Sequence, residues 1–260
     1  MEMRRTIASI SAVCLMALLI AAVLGAVVPS SPLEAADLGA GVFAPEAEFV
    51  FADPETASRE LLSLLEGTPG MAAHLRAIRF FSRRFREAGV LVPKLTEVLS
   101  GLRASKRDEA KVEVAFILGL LAQEDSEGAR AGYLRELETL VTVISRNRPM
   151  DPWGHLVAAM LFASFPELHG NWLDEALYAQ CHGYDLAEAQ LAVGSLMLHM
   201  DLFYGGNERL QWFIYLAFSR AQTLAPQNEA LRRRISEMVK ANLEMPGYRP
   251  SKWVKAFAGS

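Results

Sequence analysis

From Pro54 onward, the apolar residues of this chain recur at the three- and four-residue spacing of an α-helix. The spacing is clearest in residues 129–147, where the apolar face consists of Tyr133, Leu134, Leu137, Leu140, Val141 and Ile144. No stretch of useful length alternates apolar and polar residues, as a half-buried strand does. The pattern therefore predicts an all-α fold, with helices at about 54–66, 70–88, 90–102, 108–123, 129–147, 152–165, 171–182, 187–204, 208–224 and 227–243.

The predicted helices are of two kinds. Residues 129–147 and 208–224 each have one apolar face, whereas 152–165 and 187–204 are apolar nearly all round. A helix that is apolar on every side has to be covered on several sides. The alternation of the two kinds predicts stacked antiparallel helical hairpins, in which the inner helix of each hairpin lies between its neighbours.

The spacing of the hairpins leads to a family resemblance. Pro152, Glu188 and Pro226 open successive units 36 and 38 residues apart. The stretch 217–228, Ala-Phe-Ser-Arg-Ala-Gln-Thr-Leu-Ala-Pro-Gln-Asn, resembles the second helix of a tetratricopeptide repeat, as does Leu-Asp-Glu-Ala-Leu at 173–177. The resemblance covers about residues 108–243, and it implies an α-solenoid whose first helices line a concave groove. The Trp-Leu-Gly-Tyr signature of the family's first helix is not intact in any repeat, and the spacing exceeds the family's 34 residues.

The N-terminus has the form of an export signal. Arg4 and Arg5 precede the uncharged run Thr6–Val28, which has 23 residues. A basic flank followed by an apolar run directs the following chain across the membrane. The run exceeds an ordinary signal core and matches the roughly 20 residues of a membrane span, so both a cleaved signal peptide and a retained anchor stay open.

These features predict four regions along the chain. Residues 1–28 are a signal peptide or signal anchor, and 29–53, rich in Ala, Gly and Pro, are a flexible linker. Residues 54–107 form N-terminal helices, and 108–260 form the helical repeat region with a C-terminal capping helix. The expected location is the periplasm or the exterior, either free or held by the membrane anchor.

Composition narrows the classes of function. The 260 residues carry a net charge of −4, which argues against a nucleic-acid binder of the usual basic type. Two cysteines exclude a disulfide framework, and Cys181 is predicted to be a small buried residue. The five histidines show no metal-ligand spacing on one helix, and no nucleophile or phosphate-loop motif is present. The sequence therefore predicts no catalytic residues, no metal and no cofactor.

Two surfaces are candidates for binding a partner. The first is a polar stripe on the otherwise apolar helix 187–204, formed by Glu188, Ser195 and His199, with Tyr204, Trp172 and Trp212 as nearby aromatic anchors. The second is a basic stripe formed by Arg76, Arg79, Arg83 and Arg86. A basic amphipathic helix close to an export segment suits an anionic membrane surface or an acidic partner.

Taken together, the sequence predicts an exported envelope protein that acts as a non-catalytic helical-repeat scaffold for a protein or peptide. Two alternatives stay open. An envelope hydrolase on a helical scaffold predicts convergent carboxylates or a histidine pair in a deep pocket. A carrier of a lipid or small apolar ligand predicts an apolar cavity between helices.

Overall fold

The fold is described from a computed structural model of the chain, which describes residues 31–36, 38–39, 41–67, 70–124, 128–147 and 151–259. These residues form helices and connecting segments without a β-strand, so the all-α prediction is confirmed for them. The described residues contain twelve α-helices: α1 (Pro32–Ala35), α2 (Pro54–Gly67), α3 (Met71–Glu87), α4 (Leu91–Ala104), α5 (Ala110–Glu124), α6 (Arg130–Asn147), α7 (Pro152–Ser164), α8 (Trp172–His182), α9 (Ala187–Phe203), α10 (Glu208–Leu224), α11 (Glu229–Leu243) and α12 (Lys252–Lys255). One 3₁₀ turn spans Glu46–Glu48.

The helix starts follow from side-chain capping. Asp151 Oδ1 accepts a hydrogen bond from the Trp153 amide at 3.0 Å at the start of α7. Asparagines cap α8, α10 and α11 in the same manner, at Asn171, Asn207 and Asn228. Each cap satisfies an amide that the first helical turn leaves without a backbone partner. Short polar residues therefore fix the ends of the helices.

The C-terminal two thirds of the chain pack as consecutive helix pairs. Helix α5 packs on α6, α7 on α8, and α9 on α10, while α5 also contacts α7, α7 contacts α9, and α9 contacts α11. Helices α7 and α9 are buried along most of their length, whereas α6, α8 and α10 bury one side. This burial follows from their apolar patterns, because a helix with no polar face loses least when it is covered on all sides.

The segment predicted as a flexible linker packs against these helices. We call its described residues between 31 and 51 the strap. Helix α1 contacts α7 and α9, and Leu33, Ala36 and Leu38 are fully buried. Further along the strap, the Phe49 ring lies 5.8 Å from that of Phe80 on α3. The strap therefore belongs to the core of the molecule, between α3 and the inner helices.

A buried polar network holds the C-terminal end. The Asp201 carboxylate is fully buried and accepts hydrogen bonds from the Tyr248 hydroxyl at 2.7 Å and the Gln211 amide at 2.8 Å. The turn before α10 carries Gly206 at φ +97°, where an added Cβ would lie 2.4 Å from the Arg249 carbonyl oxygen. Burial raises the pKa values of both Asp201 and Tyr248. The network ties the segment 245–251 to the turn between α9 and α10.

No helix within the described ranges combines the length and the apolar character that crossing a membrane requires. The predicted export segment at residues 1–28 lies outside those ranges.

Candidate binding surfaces

The predicted polar stripe of α9 lies on the inner side of the fold. Glu188, at its N-terminal end, pairs with Arg76 at 3.2 Å. Ser195 is buried, donates to the Leu191 carbonyl at 2.8 Å and lies 3.5 Å from Met238 Sδ. These two members of the stripe therefore form contacts within the protein.

His199, the third member, is buried without a hydrogen bond. Its exposure is 6%, and neither ring nitrogen has a hydrogen-bond partner among the described residues. Burial lowers the pKa of the imidazole to about 4, because the charged form loses its hydration. The ring packs edge-on against Phe203, with centroids 5.3 Å apart. His199 is therefore a neutral imidazole at neutral pH, shielded from direct contact with a partner.

The predicted basic stripe of α3 also faces the chain itself. Arg76 is buried and donates to the Leu38 carbonyl at 3.3 Å, and Arg79 donates to the carbonyls of Glu34 and Ala36. The two exposed members form ion pairs: Arg83 with Glu46 at 2.9 Å, and Arg86 with Glu34 at 3.1 Å and Glu124 at 2.7 Å. The acidic and carbonyl groups that this stripe contacts are thus supplied by the strap, by α5 and, through Glu188, by α9. A membrane or an acidic partner would have to displace them.

Two of the predicted aromatic anchors meet at a pocket on the outer side. Trp172, at the start of α8, stacks on Tyr204, which follows α9, with centroids 6.5 Å and planes 15° apart. The indole Nε1 lies 3.4 Å from the Tyr204 hydroxyl, to which it donates. They line a cavity of about 520 Å³, which we call the outer pocket, together with Asn171, Leu173, Asp174, Leu177, Asn207, Arg209, Leu210 and Phe213.

The outer pocket has an apolar floor and a charged rim. Leu210 is buried and Leu177 and Phe213 are half-buried, whereas Asp174 and Arg209 are exposed on the two facing helices. Tyr204 is 60% exposed. Its ring offers an apolar face together with a hydroxyl that can form hydrogen bonds. This arrangement suits an apolar side chain that belongs to an otherwise polar peptide.

Trp212, the third predicted anchor, belongs to a separate cluster. Its ring stacks on Tyr215 at 5.5 Å and meets Trp253 edge-on at 4.5 Å. The Trp253 ring also carries the Lys252 ammonium at 4.5 Å. The structure therefore divides the predicted aromatic set between the outer pocket and the junction with the C-terminal helix α12.

A buried charged cluster went unnoticed in the sequence. His74 Nδ1 lies 2.6 Å from Glu113 Oε1, and Arg107 pairs with Glu113 Oε2 at 2.7 Å. The Glu113 side chain is fully buried. His74 and Arg107 line a cavity of about 480 Å³ with Glu109, Asp151 and Trp153. His74 lies on α3, Glu113 on α5, and Arg107 in the loop between α4 and α5. Residue spacing along one helix therefore cannot reveal the cluster.

A second buried pair joins α7 to α8. His155 Nδ1 lies 2.6 Å from Glu175 Oε2, and the Ser145 hydroxyl donates to Glu175 Oε1 at 2.8 Å. The carboxylate stands between the hydroxyl and the imidazole, whereas a nucleophilic serine requires the imidazole next to the hydroxyl. The arrangement is that of a structural polar contact between helices. Cys181, predicted to be buried, is exposed, because α8 buries only the opposite side.

In the part of the chain that the structure describes, no group of three or more His, Cys, Asp and Glu residues has a metal-binding arrangement. Comparison with protein families, curated proteins and solved structures finds no match to this chain. The tetratricopeptide resemblance therefore stays a prediction that rests on the motif residues.

Proposed function

We propose that this protein is an exported, non-catalytic helical scaffold that binds a protein or peptide partner at the outer pocket. The observation that carries the proposal is the stack of half-buried Trp172 on exposed Tyr204 over an apolar floor. Aromatic residues that already lie in rigid stacks lose little conformational entropy on binding, which is why they dominate the affinity of many interfaces.

The chemistry of the pocket defines the ligand class. The volume of about 520 Å³ fits one or two side chains rather than a folded domain. Asp174 on α8 and Arg209 on α10 offer both charges at the rim, which suits the amide groups and mixed charges of a peptide. The ligand is therefore a peptide segment with an aromatic or leucine anchor.

The scaffold itself is proposed to be a degenerate tetratricopeptide-like solenoid. The contacts of α5 with α7, α7 with α9, and α9 with α11 support this, because stacked repeats contact their neighbours through the first helices. A solenoid presents binding residues on rigid helices, so the outer pocket is held in shape without a ligand.

Selection of displayed random peptides on the purified full chain tests the binding proposal. We expect the selected peptides to share an aromatic or leucine residue. Trp172→Ala and Tyr204→Ala should each weaken their binding by about ten-fold or more. Tyr184→Ala is the matched control, because Tyr184 is 55% exposed and lies outside the pocket. Peptides that bind the folded Trp172 and Tyr204 variants as well as the parent would contradict the proposal.

Export is tested separately. A fusion of alkaline phosphatase after residue 60 should be active, because the Arg-flanked apolar run places the following chain outside. Activity of a cytoplasmic reporter alone at the same junction would contradict export. The intact mass of the mature protein then distinguishes a cleaved signal from a retained anchor.

One observation favours the hydrolase alternative, namely the His74–Glu113 pair at the wall of the 480 Å³ cavity. A carboxylate that orients an imidazole is a common part of acid–base sites. A panel of fluorogenic esters, peptides and glycosides tests this alternative. Turnover that His74→Gln abolishes while Tyr204→Ala leaves it intact would favour the hydrolase over the scaffold.

A further inference from the structure

The strap is held largely through its main chain. Arg79 donates to the carbonyls of Glu34 and Ala36, and Arg76 donates to the Leu38 carbonyl at 3.3 Å. At the far end, Asn228 Nδ2 donates to the Val42 carbonyl at 3.2 Å. Side-chain donors directed at backbone carbonyls do not depend on the side chains of the segment they hold. Such contacts are typical of surfaces that bind a peptide through its main chain.

A few side chains of the strap give the contact its specificity. Leu33 and Leu38 are fully buried, and Glu34 pairs with Arg86. Leu33 fits against Gly119 of α5, where an added Cβ would lie 3.2 Å from Leu33 Cδ1. The groove thus has room for a leucine side chain. It also places a cationic side chain next to the acidic residue that follows the leucine.

The fit between the strap and α3 is incomplete. A cavity of about 10 Å³, with room for about one water molecule, lies beside Leu38, Phe49, Arg76 and Arg79. Arg76 is 9% exposed, and its Nε has no hydrogen-bond partner among the described residues. The strap therefore packs on α3 less closely than side chains that interdigitate throughout a core.

We propose that the surface formed by α3, α5, α7 and α9 is a peptide-binding groove that residues 32–36 and 38 fill in cis. The partner that it accepts in trans is a peptide of the same chemistry: a leucine followed directly by a carboxylate and two small residues, with a second leucine five residues after the first. A partner of this kind binds only when the strap leaves. This groove is distinct from the outer pocket, and its occupancy does not depend on Trp172 or Tyr204.

Cutting the strap in the full chain tests the proposal. Ala52 and Asp53 are both exposed, so a protease recognition sequence inserted between them is accessible. After cleavage, we expect the helix content to persist and a labelled synthetic peptide of residues 31–52 to exchange into the groove. The uncut chain should bind this peptide at least ten-fold more weakly, because its own strap competes at a high effective concentration.

Matched variants identify the groove. A peptide with Leu33→Ser should compete at least ten-fold more weakly than the parent peptide. Arg79→Gln in the chain should reduce capture by a similar factor, whereas Arg84→Gln should not, since Arg84 pairs with Glu87 on its own helix. Tyr204→Ala should leave capture unchanged, which separates this test from that of the outer pocket. Unfolding of the chain on cleavage, or a folded cut chain that fails to capture the peptide, would overturn the proposal.

Discussion

The inner face, formed by the polar stripe of α9 and the basic stripe of α3, differs from the outer pocket in what its polar and aromatic residues contact. On the inner face, Glu188 and the arginines of α3 contact groups of the chain itself. At the outer pocket, Tyr204 is exposed above an apolar floor. The inner face therefore contributes to folding, whereas the outer pocket keeps surface available for a ligand.

The difference shows that a row of charged residues on a helix can face solvent or a membrane, or can contact the chain's own backbone. The basic stripe of α3 has the pattern of a solvated or membrane-facing surface. In the structure, the same stripe donates hydrogen bonds to backbone carbonyl groups of the strap. Within a longer helix or a sheet, the backbone itself would supply such donors. Arginine suits that role, because its planar head offers several donors while its stem packs against apolar neighbours.

The largest effect on stability is expected at Glu113, which pairs with His74 of α3. Glu113→Ala removes a fully buried carboxylate from Arg107 and His74, and should lower the free energy of unfolding by about 3–5 kcal/mol. The surface pair of Arg103 and Glu136 provides the control, and Glu136→Ala should cost about 1 kcal/mol or less. Urea unfolding followed by circular dichroism measures both. Equal costs would mean that the buried cluster adds nothing beyond a surface ion pair.

Helix α10 lines the outer pocket through Arg209, Leu210 and Phe213, and Phe218 is its most buried ring. The side chain is fully buried and meets Phe257 edge-on at 5.6 Å. Phe218→Ala should destabilise the protein by about 3–5 kcal/mol, because it leaves a cavity that rigid helices cannot close. Thermal and urea unfolding give the value. A loss below about 1 kcal/mol would show that α10 is not fixed by this contact.

His199 should make the stability of the inner face dependent on pH. The pKa of its imidazole is lowered to about 4 in the folded protein, so on acidification the unfolded chain takes up the proton first. The free energy of unfolding should therefore fall as the pH drops from about 6.5 towards 4, with about 2 kcal/mol lost to this group by pH 5. In His199→Leu this component should be absent, which urea unfolding at pH 7 and pH 5 detects. The same loss in both proteins would place the titrating group elsewhere.

The smallest effect on stability is expected at the rim of the outer pocket. Arg209 lines the pocket and is exposed, so Arg209→Ala should change the free energy of unfolding by no more than about 0.5 kcal/mol. Its effect on peptide affinity, measured with the selected peptides, should exceed its effect on stability. A substantial loss of stability would mean that the exposed guanidinium supports the fold after all.

The sequence predicts the helices well because their signals are local. Apolar spacing together with capping residues such as Asp151 and Asn207 defines where a helix begins. The strap escapes prediction because Leu33, Leu38 and Phe49 follow no period, and their burial depends on helices that come later in the chain, from α3 to α9. His74 and Glu113 likewise meet only through tertiary packing. The sequence predicts Trp172 and Tyr204 as anchors near the polar stripe, but the pocket that they line contains no member of that stripe.

The position of the strap also determines when, during synthesis, it can reach its native contacts. Its Val42 carbonyl contacts Asn228, which is 186 residues further along the chain. At 5–20 residues per second, synthesis of that interval takes about 10–40 s, during which Asn228 is not yet available to the Val42 carbonyl. Contacts between such distant residues also form slowly, because a large loop has to close first. The first described segment to be synthesised is therefore among the last to reach its native place, and a chain that ends before α11 lacks the Asn228 contact that holds the strap's far end.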